Sequence, residues 1–258
     1  LIDIGTNGEV VLGNKEWLIS CSASAGPAFE GSGVTCGMRA TKGAIQKVKI
    51  ESKTGKVNFS TIANAPAIGI CGSGYIDLLA QFLSAGIIDR QGKFVSLPKS
   101  KFIRDSEFGK EFILVPKGQG GLESDIVINE VDIENLKRAK AAIFASTSIL
   151  IRHMGLEFSS VKKIFIAGGF GNYLDINNAI SIGLLPDLPR ERFIFVGNSS
   201  LAGARQIIDS AQALDKAGEI AKKITYFELS VEPGYMEEYI AALFFPHTNR
   251  DRFPSVKI

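Results

Sequence analysis

The chain has 258 residues, 45% of them hydrophobic and 22% charged, with a formal net charge of +2. That length accommodates one large domain or two small ones around a substantial core, and a near-balanced charge leaves no electrostatic footprint for nucleic acid. No run of about 18 apolar residues marks a membrane span, and the N-terminus lacks the basic, apolar and small-residue succession of a signal peptide.

Residues 1 to 21 read as three short strands. Ile2 and Ile4 lie on the first, Glu9 to Leu12 on its hairpin partner and Trp17 to Cys21 on the third. Asn7-Gly8 is expected to supply the positive φ angles of a two-residue hairpin turn. A glycine-rich stretch runs from Ala25 to Gly37. Ala44 to Ile50 and Val57 to Ile62 read as a second hairpin around Thr54-Gly55. Gly72-Ser73-Gly74 opens a helix whose Ile76, Leu79, Leu83 and Ile87 recur at helical spacing.

Residues 90 to 125 read as loops with brief strands. A long helix is expected from Asp132, its N-cap, with Asn135 three residues on. Leu136, Ala139, Ala142, Ile143 and Leu150 form its buried stripe, and Gly155 ends it. Strands and helices then alternate: strand 161–167, helix 175–182, strand 193–196, helices 199–210 and 215–224, a short strand 225–228 and a last helix 233–244. Three antiparallel strands followed by this alternation describe a ribonuclease-H-like α/β layer, residues 1–71 and 157–258. Residues 72–156 are expected as an inserted α+β subdomain.

The cysteines, Cys21, Cys36 and Cys71, are an odd set without metal-type spacing. They read as reduced thiols in a cytoplasmic protein. An iron–sulfur cluster held by this chain alone is not expected, because such clusters take about four thiolates. His153 and His247 are too few for a histidine-based metal site, and His153 at a helix end reads as structural.

Two segments carry the chemistry. In Ile2-Asp3-Ile4-Gly5-Thr6-Asn7-Gly8, Asp3 ends a buried strand near a hairpin tip. Gly5 allows close backbone approach to a phosphate, Thr6 offers a hydroxyl, and Asp3 would act on magnesium, which keeps much of its hydration shell. In Ile164 to Asn172 a strand runs into Gly168, Gly169, Phe170 and Gly171. There a flat base and ribose could lie on bare backbone, or a helix could simply pack closely. Small residues in Gly197 to Ala204 read as a surface for close helix contact. Glu30 and Arg39 fall in the glycine-rich stretch without a spacing that assigns them roles.

Together these motifs resemble the actin-like ATPase superfamily of sugar kinases, heat-shock chaperones and actin. Asp3-Ile4-Gly5-Thr6 is similar to its second phosphate motif, Ala167 to Gly171 to its adenosine motif and Gly197 to Ala204 to its second connecting helix. Arg138-Ala139-Lys140 resembles a chaperone segment whose lysine touches the nucleoside, beside the alternative of a solvated helix face. With Ala25-Gly26-Pro27-Ala28-Phe29-Glu30-Gly31 and Gly69-Ile70-Cys71-Gly72-Ser73-Gly74, the succession resembles the C-terminal part of the reductive activators of corrinoid-dependent methyltransferase systems, through almost the whole chain.

That resemblance implies ATP and Mg2+ as ligands, with Asp3 and Thr6 as the catalytic pair and Asp3 on the metal. Gly5, Asn7, Lys140, Gly168, Gly169, Phe170 and Gly171 would bind the nucleotide. It implies a corrinoid protein or corrinoid-dependent methyltransferase as partner, reduction of cobalt(II) to cobalt(I), a homodimer, and an iron–sulfur cluster only in an N-terminal region outside this sequence. Since only one D-x-G-T loop is present, the chain is expected to be a C-terminal fragment, half of an ATP cleft with weak or no ATPase activity alone. Two alternatives stay open: a small-molecule kinase using Asp77 or Asp89 as base, and a non-catalytic docking module.

Overall fold

The computed structural model describes residues 1–51, 56–95, 102–169 and 174–257. Its first strands are β1 (Ile2–Ile4), β2 (Gly8–Gly13) and β3 (Leu18–Ala23), followed by β4 (Ala44–Ile50), β5 (Val57–Thr61), β6 (Gly69–Ile70) and helix α1 (Gly72–Ser84). Next come β7 (Ile103–Ser106), β8 (Gly109–Val115), β9 (Ile126–Asn129) and the long helix α2 (Glu130–His153). The last part holds β10 (Ile164–Ala167), α3 (Ile176–Ser181), β11 (Phe193–Gly197), α4 (Ser199–Asp209), α5 (Ala211–Lys223), β12 (Ile224–Tyr226) and α6 (Tyr235–Ala242). The expected turn at Thr54-Gly55 lies outside the described residues.

A six-stranded sheet runs in the order β11-β10-β1-β2-β3-β12. β2 is antiparallel to both of its neighbours, while β10 is parallel to β1 and to β11, and β12 to β3. The three-stranded sheets β5-β4-β6 and β7-β8-β9 stand beside it. Alternation explains the main sheet: Ile2, Ile4, Val10, Ile19, Cys21 and Ala23 are buried, whereas Asp3 is only half-buried and Glu9 is exposed.

Helix α2 covers the buried face across β2 and β3. Leu136, Ala139, Ala142, Ile143 and Leu150 are buried as their spacing requires, and each large one contributes about 1.5–3 kcal/mol. The contacts of α2 with β2 and β3 and of α1 with β4 cross the boundary expected at residue 71, and α2 packs on α6 across the one expected at residue 156.

Two local expectations need correction. Neither Asn7 nor Gly8 has a positive φ. Gly8 already pairs with Ile4 as the first residue of β2, and Gly5 N donates to Asn7 O at 3.0 Å to close a three-residue connection. Glycine is required at position 8 for packing, since a Cβ there would lie 2.8 Å from Ile143 Cγ1.

The second correction concerns α2, which is capped by Asn129 rather than Asp132. Asp132 N donates to Asn129 Oδ1 at 2.8 Å and Asn129 N to Asp132 Oδ2 at 3.1 Å, a reciprocal capping box. Asp132 Oδ1 also accepts from Thr35 N and Oγ1, and Asn135 Nδ2 donates to Gly33 O, so the cap fastens the glycine-rich loop. Gly72 and Gly74 let the first turn of α1 sit against the carbonyls of Phe29 and Ile45. That turn is buried, so it serves as a packing contact.

The C-terminal segment closes on α2 through polar side chains. Arg252 Nη1 donates to Glu238 Oε1 at 2.6 Å, and His247 Nε2 lies 3.5 Å from the same oxygen. Asn249 N donates to His247 Nδ1, which places the ring proton on Nε2. Burial opposes ionisation of Glu238, yet the hydrogen bonds from His247 and Arg252, the Arg252 charge and Ser148 hold its pKa down at about 2, from an ordinary 4.5. A carboxylate depressed in this way stabilises the fold fully above its unfolded value and loses that contribution as pH falls toward the folded one. Thermal melts between pH 4.5 and 2 should therefore be shallower in pH dependence for Glu238→Gln than for the parent, with the variant less stable at neutral pH.

Candidate functional site

The topology sends several loops to one edge. β1, β3, β10 and β11 share a direction, so their C-terminal ends and the β1–β2 connection at residues 5–7 lie together. In open α/β sheets this is the edge where ligands bind. β1 and β10 pair Ile2 with Ile166 and Asp3 with Ala167, so the phosphate-type hairpin and the glycine run after β10 are immediate neighbours.

Gly168 sits where a side chain could not. At φ 113° a Cβ would collide with the Ile4 carbonyl oxygen and lie 3.3 Å from Asp3 Oδ1. Gly168 N donates to Gly197 O at 3.1 Å, fixing the end of β10 to the end of β11. Among the described residues a Cβ on Gly169 would meet nothing within 4 Å. Phe170 and Gly171 lie outside the described residues.

Asp3 is half-buried directly across from Glu9. Burial first, and the negative charge of Glu9 second, push the Asp3 carboxyl above its ordinary pKa. A cation at this point would reverse that penalty. Magnesium carried by a nucleotide takes one or two carboxylates and completes its shell with phosphate and water, and Asp3 beside Glu9 fits that requirement. Among the described residues no group of three or more His, Cys, Asp or Glu could hold a metal by itself.

Thr6 Oγ1 donates to Glu30 Oε2 at 2.8 Å. The two are 24 residues apart, a pairing that no spacing in the sequence indicated. Asn7 accepts from Gly5 N through its carbonyl and stands at the same tip.

Lys140 does not join this group. It is fully buried, and its Nζ donates to Phe244 O at 2.7 Å and Pro246 O at 2.8 Å. Neither the nucleoside contact nor the solvated face describes it, because α2 is covered on both sides, by the sheet and by α6. Burial, with the nearby Lys137 charge, lowers its pKa well below the usual lysine value.

The carboxylates considered as kinase bases are engaged elsewhere. Asp77 accepts from Val48 N and Asn178 Nδ2, tying α1 to β4 and α3. Asp89 accepts from Gln91 N and Lys93 N in a turn. Cys21, Cys36 and Cys71 are free thiols. His153 packs against Phe227 at a centroid distance of 4.3 Å, with the rings tilted by 47°.

A cavity of about 760 Å³ lies at the opposite end of the sheet, lined by Leu1, Val11, Trp17, Leu150 and Phe165 among others. Its described lining includes Lys15, Lys162 and Lys163 but no acidic side chain that could take a metal ion.

Two substitutions test this geometry. Gly168→Ala should lower stability by at least about 1–3 kcal/mol through its left-handed backbone and the Ile4 carbonyl, whereas Gly169→Ala should leave the melting temperature unchanged. Lys140→Met should cost about 1–3 kcal/mol for each carbonyl left unpaired, read by denaturant unfolding.

Comparison with known proteins bears on the family and the fold. The family model for the C-terminal domain of RACo, the ASKHA domain, matches residues 1–257. The chain is 35% identical over 252 residues to "Corrinoid activation enzyme RamQ" of Eubacterium limosum, covering 95% of this chain and 42% of that protein. It is 32% identical over 243 residues to "[Co(II) methylated amine-specific corrinoid protein] reductase" of Methanosarcina barkeri, covering 86% of this chain and 41% of that protein.

A solved structure titled "Reductive activator for corrinoid,iron-sulfur protein" superposes with a TM-score of 0.95 at 53% identity, over 99% of this chain and 41% of that one. The chain thus spans less than half the length of each of these relatives. With the model matched from the first strand to the last turn, the chain belongs to the RACo C-terminal family and has the actin-like ASKHA fold.

Proposed function

We propose that this chain supplies one wall of the ATP cleft of a reductive activator that returns cobalt(II) corrinoid proteins to cobalt(I). The observation that supports the reading is the in-register pairing of β1 with β10, which brings Asp3 against Gly168 where the hairpin leading to Thr6 begins. The corrinoid partner is taken from what the relatives' names say of those proteins.

In this reading the phosphates lie over the tip at Gly5, Thr6 and Asn7, and the nucleoside lies along the backbone at Gly168 and Gly169. Asp3 holds Mg2+, which supplies charge neutralisation on the phosphates when bound. Opposed loops from two halves would stabilise charge developing on the γ-phosphoryl group. A change in the angle between halves would transmit hydrolysis to the corrinoid partner. Such coupling requires that the ATP-bound and ADP-bound forms bind that partner with different affinity.

The second half and the electron-donating iron–sulfur centre are assigned to sequence outside this chain. The apolar side chains of Leu201, Ile208, Leu214 and Ile220 on α4 and α5 are exposed, and that face is where we place the opposite half. A cytoplasmic setting, favoured by three free thiols, and a homodimer belong to the same proposal. Among the described residues no helix is long and apolar enough to cross a membrane.

In the full-length protein, Asp3→Asn should abolish ATP-stimulated reduction of the cobalt(II) corrinoid protein while leaving the melting temperature near that of the parent. The 258-residue chain alone should hydrolyse ATP weakly or not at all, because catalysis by positioning needs both sides of the cleft. Full reduction by the Asp3 variant, or robust Mg2+-dependent turnover by the isolated chain, would contradict the assignment.

A further inference from the structure

Glu30 is the one acidic side chain bonded to the hairpin tip among the described residues, and no spacing in the sequence assigned it a role. Its Oε2 accepts from Thr6 Oγ1 at 2.8 Å, and its Oε1 lies 3.2 Å from where a Cβ on Gly5 would stand. Both carboxylate oxygens therefore lie against the tip, while Asp3 flanks the same tip from the Gly168 side.

The segment that presents Glu30 is closely packed. It ends a short 3-10 turn, Pro27–Glu30, whose Ala28 and Phe29 are buried. The Phe29 carbonyl packs against Gly72 so closely that no Cβ fits there. Gly31 follows in the left-handed region at φ 85° and donates its N–H to Ala28 O. A Cβ on Gly31 or on Gly37 would collide with facing backbone, at Met38 and Gly31 respectively. Three glycines thus serve to hold one exposed carboxylate in place. Glu9, the other acidic group nearby, lies further down the sheet across from Asp3, with Ser22 Oγ 3.3 Å from its Oε1.

We infer that Glu30 is the general base that orients the attacking water over the γ-phosphate, with Thr6 as its partner at the tip. The inference rests on the ATPase reading above. The water oxygen forms a bond to the γ-phosphorus as the bond from that phosphorus to the β,γ-bridging oxygen breaks. The bridging oxygen leaves on ADP with the electron pair. A water proton passes to a Glu30 carboxylate oxygen and is later released to solvent, leaving ADP and inorganic phosphate. A base of this kind contributes on the order of 10²–10⁴-fold. The Thr6 hydroxyl, released from Glu30, turns its hydrogen bond to a phosphate oxygen.

The test uses full-length protein and its Glu30→Gln variant, which keeps an acceptor for Thr6 but loses basicity. Steady-state ATP hydrolysis should show kcat lower by about 10²-fold or more with KM for ATP changed by less than about threefold. Titration with MgADP and the unfolding temperature should match the parent. A kcat within about threefold of the parent overturns the role. So does a raised Mg2+ requirement, which would make Glu30 a metal group, or a raised KM at constant kcat, which would make it a binding group. A parent protein that hydrolyses no ATP overturns the ATPase reading itself, an outcome separable from failure of Glu30 alone.

Discussion

The parallel pairing of β1 with β10 is the constraint on which the rest of this molecule depends. It is short, with Ile2 opposite Ile166 and Asp3 opposite Ala167. A slip by one residue would send Asp3 to the face covered by α2 and expose Ile2 and Ile4. Two glycines secure the register from opposite sides. Gly8 gives room to Ile143 beneath the sheet, and Gly168 gives room to the Ile4 carbonyl at its end. Hydrophobic burial thus decides which way the one partly buried acid of the strand points.

Around that pairing, polar groups act as fasteners rather than as chemistry. The capping box of Asn129 and Asp132 bonds Thr35 and so anchors the loop that follows Glu30. Lys137 and Lys140 on α2 donate to the carbonyls of Gln91, Phe244 and Pro246, and Arg90 donates to Phe245 O. These bonds satisfy carbonyls in irregular backbone, where an unpaired buried group costs about 1–3 kcal/mol. The result is a firmly fastened base beneath the edge, which suits a site that must hold its groups in position.

The molecule is unevenly covered. α2 is enclosed between the sheet and α6, whereas none of the residues of α4 or α5 is buried. Under the proposed reading this asymmetry has a physical sense. A cleft between two halves needs one wall fixed to a core and a second contact surface free to move against its counterpart. Relatives more than twice as long as this chain contain ample sequence for such a counterpart.

Local pattern determined a good deal. Alternating apolar residues placed β1, β2 and β3 within a residue or two, helical spacing placed α1 and α2, and the strand–glycine junctions singled out Asp3, Thr6 and Gly168. Those signals are legible because each follows from one element's own period or turn chemistry. Three matters were decided only by tertiary structure. Gly8 is required by a side chain 135 positions away rather than by turn geometry. Lys140 looks like a surface lysine until α6 and the segment after it close over α2. Glu30 meets Thr6 only because β3 ends at the same sheet edge as β1. Contacts between elements distant in the chain leave no periodic trace, because they arise from how sheet order and packing bring separate segments together.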